Sequence, residues 1–250
     1  MGNILAEGRK RYMQLSEFKA DARKVIYENA PGIFFVSVVF LIITTVMNEL
    51  QFRLPGTSTA AIMALERLSE GELPSLALFY TNLRYGGAVL TFILILIRPV
   101  IKAGFMSYCL KISREQEGDF KDILDGFHFF VKIILISILT SILIALWSLL
   151  FFFPGLAAYY RYRQAIYILL DDPEKGVLQC ISESKRLMRG SKLDLFLLDL
   201  SFIGWHFMNM LVAVLLPAPF SLPILSIWIE PYQGLSRAAF YLHLVNKLVV

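Results

Sequence analysis

Long apolar runs alternate with short charged segments along this chain, and the runs have the length of membrane spans. Six stretches stand out: Gly32–Leu50, Ala88–Leu110, Phe129–Phe153, Leu156–Leu170, Leu193–Leu216 and Leu222–Leu244. A helix needs about 20 apolar residues to cross a hydrocarbon core of ~30 Å. The fourth stretch has 15 residues, or roughly 22 Å at 1.5 Å per residue, and contains Arg161 and Arg163. It spans only with protein packing or a thinned bilayer around it; a re-entrant helix is the alternative. The expected fold is all-α, a polytopic membrane helix bundle of about six spans in a single domain covering residues 1–250.

Basic residues set the expected orientation, because lysine and arginine concentrate in cytosolic loops. Arg9, Lys10, Arg11, Lys19, Arg23 and Lys24 precede the first run. Lys111, Arg114 and Lys121 follow the second; Lys175, Lys185, Arg186, Arg189 and Lys192 follow the fourth; Lys247 follows the sixth. The opposite side carries only Arg53, Arg67 and Arg84, all in the stretch 51–87. Six spans with both termini cytosolic put every basic loop inside. The first thirty residues have no early apolar core, so no cleaved signal peptide is expected. The stretch 51–87 is expected to be an external loop, with Ser58 capping a helix to Leu68 that lies on the outer leaflet.

The spans suggest a threefold unit of cytosolic amphipathic helix, outward span and return span: Ser16–Leu110, Asp119–Leu170 and Pro173–Leu244. In residues 1–31, a basic cytosolic tail, Phe18, Ala22, Val25 and Ile26 share a face opposite Lys19, Arg23 and Lys24. Phe120, Ile123, Leu124 and Phe127 do the same in the second unit. In the third, over residues 171–192, Asp172 fits an N-cap, Pro173 the first helical position and Gly190 the C′ position. There Val177, Ile181 and Leu187 or Met188 face the membrane or the bundle, beside Lys185, Arg186, Arg189 and Lys192. Basic helices of this kind suit an anionic leaflet.

Charges within the apolar runs are the candidate site. Arg98-Pro99 and Glu230-Pro231 hold matching places in two return spans, each pairing a charge with a residue that removes a helical hydrogen bond. Broken helices are expected there. Arg98, Arg161, Arg163, Asp199 and Glu230 form the candidate intramembrane network, with Glu230 expected against Arg98 or Arg163, and Asp199 against the remaining arginine or Lys102. Lys102, Arg237 and Asp199 are near enough to span ends to reach outward. Such groups serve either as ion pairs that fix helix register or as the lining of a polar cavity.

Composition agrees: 57% of the 250 residues are hydrophobic and the formal net charge is +4. Cys109 and Cys180 are expected on the cytosolic side as small buried residues, with no disulfide and no zinc site. His128, His206 and His243 show no metal-ligand spacing, and Asp171-Asp172 reads as capping. Gly86-Gly87 and Pro154-Gly155 are turn signals. Trp147, Tyr159, Tyr160, Tyr162 and Trp228 suit an aromatic belt. No metalloprotease, nucleophile-elbow or phosphate-loop motif is present, so no enzyme activity, catalytic residue or cofactor is expected. The basic clusters sit beside spans, which favours lipid phosphate over nucleic acid.

The run PGLAAYYRYRQAIYILLDDPEKGVLQCISESKRLMRGSKLDLFLLDLSFIGW, from Pro154 to Trp205, resembles a bacterial integral membrane family catalogued as domain of unknown function 975. Pro154-Gly155, Arg161, Asp172-Pro173, SESKRLMRG at 182–190 and LDLSFIGW at 198–205 carry the resemblance; the Pro231-Tyr232 step and the basic N-terminal helix fit it. Leu193 stands where the family suggests an aromatic. The C-terminal half is also distantly similar to the membrane region joined to some bacterial glycerophosphodiester phosphodiesterases, whose hydrolase activity does not carry over. The resemblance implies a bacterial inner-membrane protein and supplies no activity. The resulting expectation is a non-enzymatic structural or regulatory membrane protein that contacts the bilayer, anionic lipid headgroups, a second copy of itself or a membrane-protein partner. The alternative is a small solute or lipid transporter with a charged midplane cavity.

Overall fold

The computed structural model describes residues 2–53, 74–215 and 225–249, and among them there is no strand. In chain order the helices are α1 (Gly2–Glu28), α2 (Ala30–Arg53), α3 (Pro74–Ser113), a 3-10 turn (Phe120–Leu124), α4 (Asp125–His128), α5 (Phe130–Leu150), α6 (Phe152–Tyr162), α7 (Ala165–Asp171), α8 (Val177–Leu187), α9 (Lys192–Leu200), α10 (Ile203–Leu215) and α11 (Ser226–Val249). The helix anticipated over Ser58–Leu68 lies outside the described residues.

Among the described residues, four stretches are long and apolar enough to cross a membrane: Ala30–Gln51, Val89–Ser113, Phe130–Leu150 and Lys192–Val212, with mean hydropathies of 2.3, 2.0, 2.6 and 1.5. They coincide with the first, second, third and fifth expected spans. The fourth is not one helix, because the chain turns at Arg163-Gln164 between α6 and α7. The sixth, α11, has 24 residues but is not one of the four apolar stretches. It carries Glu230, Arg237 and Lys247, and protein surrounds much of it: Ile229, Tyr232, Leu235, Ser236, Ala238, Phe240, Tyr241 and Leu244 are buried.

Prolines and glycines account for several departures from expectation. α3 and α11 run through Pro99 and Pro231 without interruption. Each proline deprives one carbonyl, Ile95 or Ile227, of its helical donor, yet the ladder resumes on both sides. Pro74 opens α3, Pro31 lies in the first turn of α2 and Pro154 in the first turn of α6, positions where a missing N–H costs nothing. The break between α5 and α6 is therefore extended Phe151 (φ −162°, ψ 155°) and not the Pro154-Gly155 turn. Gly86-Gly87 is inside α3, so part of the expected external loop is helix. Asp172-Pro173 does not start α8; it begins a turn, and Gly176 is the N-cap. Gly190, at φ +89°, lies two residues beyond the C-cap Met188.

The chain divides into two compact units, Met1–Val39 with Val100–Val250, and Phe40–Pro99. In the first, α11 packs against α1, α8, α9 and α10. Phe18, Ala22 and Ile26 are buried, and Phe18 sits edge-on to Phe240 at 5.6 Å and to His243 at 5.3 Å. The apolar face of α1 thus lies on protein. A β-carbon at Gly234 would come within 2.8 Å of Cys109 Sγ and 3.1 Å of Phe105 Cε1, so α3 and α11 touch there. α5 buries only Ile133 and Ile136 and exposes most of its apolar surface. Of the aromatics anticipated in a belt, Tyr160 and Tyr162 are instead buried, Tyr160 against Phe196 at 5.7 Å, and Trp228 stacks on Phe34 at 5.4 Å. Cys109 and Cys180 are free and buried; burial pushes the Cys180 thiol upward.

Candidate functional site

α10 and α11 meet along a polar seam. Asn209 Nδ2 donates to Ser226 Oγ at 3.0 Å, and His206 Nε2 lies 3.3 Å from Gln233 Oε1. At the end of α9, Asp199 Oδ1 accepts from Arg237 Nε at 3.0 Å. As positions rise along α9 and α10 their partners fall along α11, which is antiparallel pairing. On α11 the seam residues Ser226, Gln233 and Arg237 share a face with Glu230, since they follow helical spacing. Hydrogen bonds of this kind hold apolar helices together at about 1 kcal/mol each.

Asp199 also takes a second cation. Its Oδ2 accepts from Arg163 Nη1 at 2.7 Å, and Arg237 Nη2 approaches Oδ1 at 2.9 Å. The side chains of Arg163, Asp199 and Arg237 are 16%, 13% and 21% exposed, so the triad is largely desolvated. Arg163 donates further to the Tyr159 hydroxyl at 2.7 Å and lies 5.0 Å from that ring's centre. Asp199 and Arg237 are thus not reaching outward, as their places near span ends suggested. Each has its partner inside.

Arg163 gets its position from the α6–α7 interruption, and α8 holds that interruption in place. Buried Ser184 donates to the Arg161 carbonyl at 2.9 Å and accepts from the Gln164 N–H at 3.2 Å. One hydroxyl therefore serves both sides of the gap in the helical ladder. Gln164 is 2% exposed, and its Oε1 has no hydrogen-bond partner among the described residues.

Of the five residues anticipated as a network, the structure joins Arg163 with Asp199 and adds Arg237. Arg161 lies over the Tyr162 ring at 5.9 Å. Arg98 belongs to the second unit, where it donates to Asn48 Oδ1 at 2.7 Å and Gln51 Oε1 at 2.8 Å. Glu230 is not paired with Arg163, whose guanidinium is committed to Asp199, and it forms no ion pair among the described residues. Lys102 is exposed, and it too makes no ion pair among the described residues.

Lys185, Arg186 and Arg189 are exposed and Lys192 is half-buried. None forms an ion pair among the described residues. The other face of α8, with Cys180, Ile181, Ser184, Leu187 and Met188, is buried in the unit, which resolves the choice between membrane and bundle for that face.

Sequence reasoning missed three clusters. Lys111 binds Asp122 at 2.6 Å and Asp125 at 2.7 Å. Asp171, read as capping, accepts from Arg114 at 2.5 Å and from the Tyr241 hydroxyl at 3.0 Å. Lys175 pairs with Glu183 at 2.9 Å, and that hydrogen bond raises the lysine's pKa. A legible signal did exist for the seam: His206, Asn209, Ser226 and Gln233 are polar positions at helical spacing inside apolar runs. Among the described residues no group of three or more His, Cys, Asp or Glu could hold a metal ion.

Comparison with curated proteins and with solved structures gave no match. A family model matches less than half of the chain, but that part includes α6 through most of α11, and so the triad, the interruption, the seam and the basic edge of α8. Over residues 153–247 the chain resembles the family described as Protein of unknown function (DUF975).

Proposed function

We propose that this is a multi-pass protein of the bacterial inner membrane, with both termini cytosolic and its apolar stretches inserted as three helical hairpins. Its role is non-enzymatic, structural or regulatory, and its basic cytosolic edge engages anionic lipid headgroups. The observation that carries the reading is the edge itself. Lys185, Arg186 and Arg189 point away from a helix whose other face is buried in protein, and Lys192 opens the apolar stretch Lys192–Val212. Cations at the start of a span lie at headgroup depth, where each contributes about 1 kcal/mol toward an anionic surface. α6–α7 and α11 complete six inserted segments, sheltered by neighbouring helices where their own apolarity falls short.

The test is thermal unfolding of the purified chain in detergent, titrated with phosphatidylglycerol and, separately, with phosphatidylcholine. Phosphatidylglycerol is expected to stabilise it selectively. The effect should vanish in the K185Q/R186Q/R189Q/K192Q variant and shrink at about 0.5 M salt. Equal stabilisation by both lipids, or indifference to the fourfold change, overturns the reading.

A second reading, a small solute or lipid transporter, is favoured by one observation: Lys102 in α3 and Glu230 in α11 are charged and form no ion pair among the described residues.

A further inference from the structure

Within the first unit, α1, α11 and the turn that follows α3 enclose a groove of about 780 Å³. Its floor is apolar: half-buried Val25, Ala239 and Leu242 line it beside buried Ala22, Ile112 and Leu235. The volume lies in the range of small-molecule sites, roughly 300–1,000 Å³. We propose that this groove binds a linear aliphatic polyamine, with its methylenes on the floor and its ammonium groups at the rim. No residue of α8 lines the groove, so the site is separate from the basic edge that engages lipid.

Charge complementarity selects a cation. Glu17, Asp21 and Glu28 of α1 line the groove, and Glu115 and Glu117 face them from the turn after α3, against a single lysine, Lys24. Lys24 lies 3.8 Å from Glu28, with both side chains more than half exposed, and an ion pair of that kind is weak. Glu17, Asp21, Glu115 and Glu117 form no ion pair among the described residues. The excess is local, since the whole chain has a formal net charge of +4.

Spacing and floor then narrow the cation to an extended organic one. Glu17, Asp21 and Glu28 share a face of α1, about 6 Å and about 10.5 Å apart along the axis at 1.5 Å per residue. The carboxylates are strung out along the groove, and among the described residues no group of three or more His, Cys, Asp or Glu could hold a metal ion. A compact hydrated ion leaves the apolar floor uncovered. In a polyamine, amines separated by a few methylenes stand roughly one helical turn apart, about 5.4 Å, so one extended chain meets successive carboxylates and covers the floor between them. Glu115 has φ +59°, a left-handed conformation that a glutamate adopts at a cost. The turn is fixed by hydrogen bonds from the Arg114 and Gln116 N–H groups to the Lys111 carbonyl and from the Glu115 N–H to the Ile112 carbonyl.

The experiment uses the full purified chain in an uncharged detergent and reads ligand-induced thermal shifts at matched ionic strength. The probes are spermidine, butylamine, magnesium chloride and a lysine-rich amphipathic peptide. Spermidine is expected to stabilise the protein saturably, and butylamine and magnesium are not. The E17Q/D21N/E115Q/E117Q variant should weaken spermidine binding by about tenfold or more, and its unliganded melting temperature reports whether it folds. Glu115→Gly is the second variant, because glycine adopts a positive φ without strain. It should keep or raise the unliganded melting temperature and still weaken spermidine binding, a combination that a merely structural Glu115 does not give. Equal shifts from magnesium or butylamine indicate general charge screening and overturn the proposal. So do full spermidine binding by either folded variant, or no binding of spermidine. Binding of the peptide alone also overturns it and makes the groove a protein-docking surface.

Discussion

Asp199 shows how one carboxylate can organise a charged region inside apolar helices. It holds two guanidinium groups, and its position at the end of α9 lets it reach Arg163 at a helix interruption and Arg237 on α11. Removing it leaves two largely buried cations without a counter-ion, a change that costs about 3–5 kcal/mol in comparable settings. We expect Asp199→Asn to destabilise by that amount in equilibrium unfolding in micelles. Arg163→Gln and Arg237→Gln should each cost less, because Asp199 then keeps one partner. A penalty for Asp199→Asn no larger than for either arginine change would show that the triad does not act as a unit. The sequence showed which charges needed partners, since each is costly in hydrocarbon, but not which partner each takes. Glu230 and Arg163 looked matched on sign alone. The turn at Arg163-Gln164 aims Arg163 at Asp199, and that turn depends on Ser184, a residue with no signal of its own in a linear reading.

At the scale of elements, apolar length was enough to locate α2, α3, α5 and the α9–α10 pair as candidate spans. It misled where protein replaces lipid as the surroundings. α11 is polar along one face because α9 and α10 meet that face. Prolines looked like breaks and proved to be starts or tolerated interior positions. Glycines instead mark the close approaches. A β-carbon at Gly104 would run into the Ile123 carbonyl, and one at Gly126 into the Val100 carbonyl, so α3 and the segment from Ile123 to Gly126 meet backbone to backbone. Gly104→Ala must push main chain apart, and we expect a loss of about 3 kcal/mol or more, at the upper end of overpacking costs. A β-carbon at Gly204, in α10, would meet nothing within 4 Å; Gly204→Ala should be neutral or stabilising by up to about 1 kcal/mol. Thermal unfolding of the two variants side by side checks the contrast, and similar melting temperatures would contradict the tight approach.

For the whole molecule, the helical architecture and its membrane-span lengths were legible from the alternation of apolar runs and basic loops. The arrangement of those helices was not, because it is set by pairings between residues far apart in sequence. The triad, the interruption and the seam fall within residues 153–247, the same part that resembles a family of unknown function, whereas α1, α2 and α3 pack onto α11 from outside it. The central claim is that α10 and α11 join along one antiparallel polar seam, with Asp199, His206 and Asn209 facing Arg237, Gln233 and Ser226. Disulfide cross-linking in native membranes tests it most directly. In a His206→Cys/Gln233→Cys double variant, a mild oxidant should form an intramolecular disulfide that neither single variant forms. A His206→Cys/Leu242→Cys control, displaced along α11, should stay reduced. Cross-linking of the control in preference to the 206–233 pair would contradict the seam.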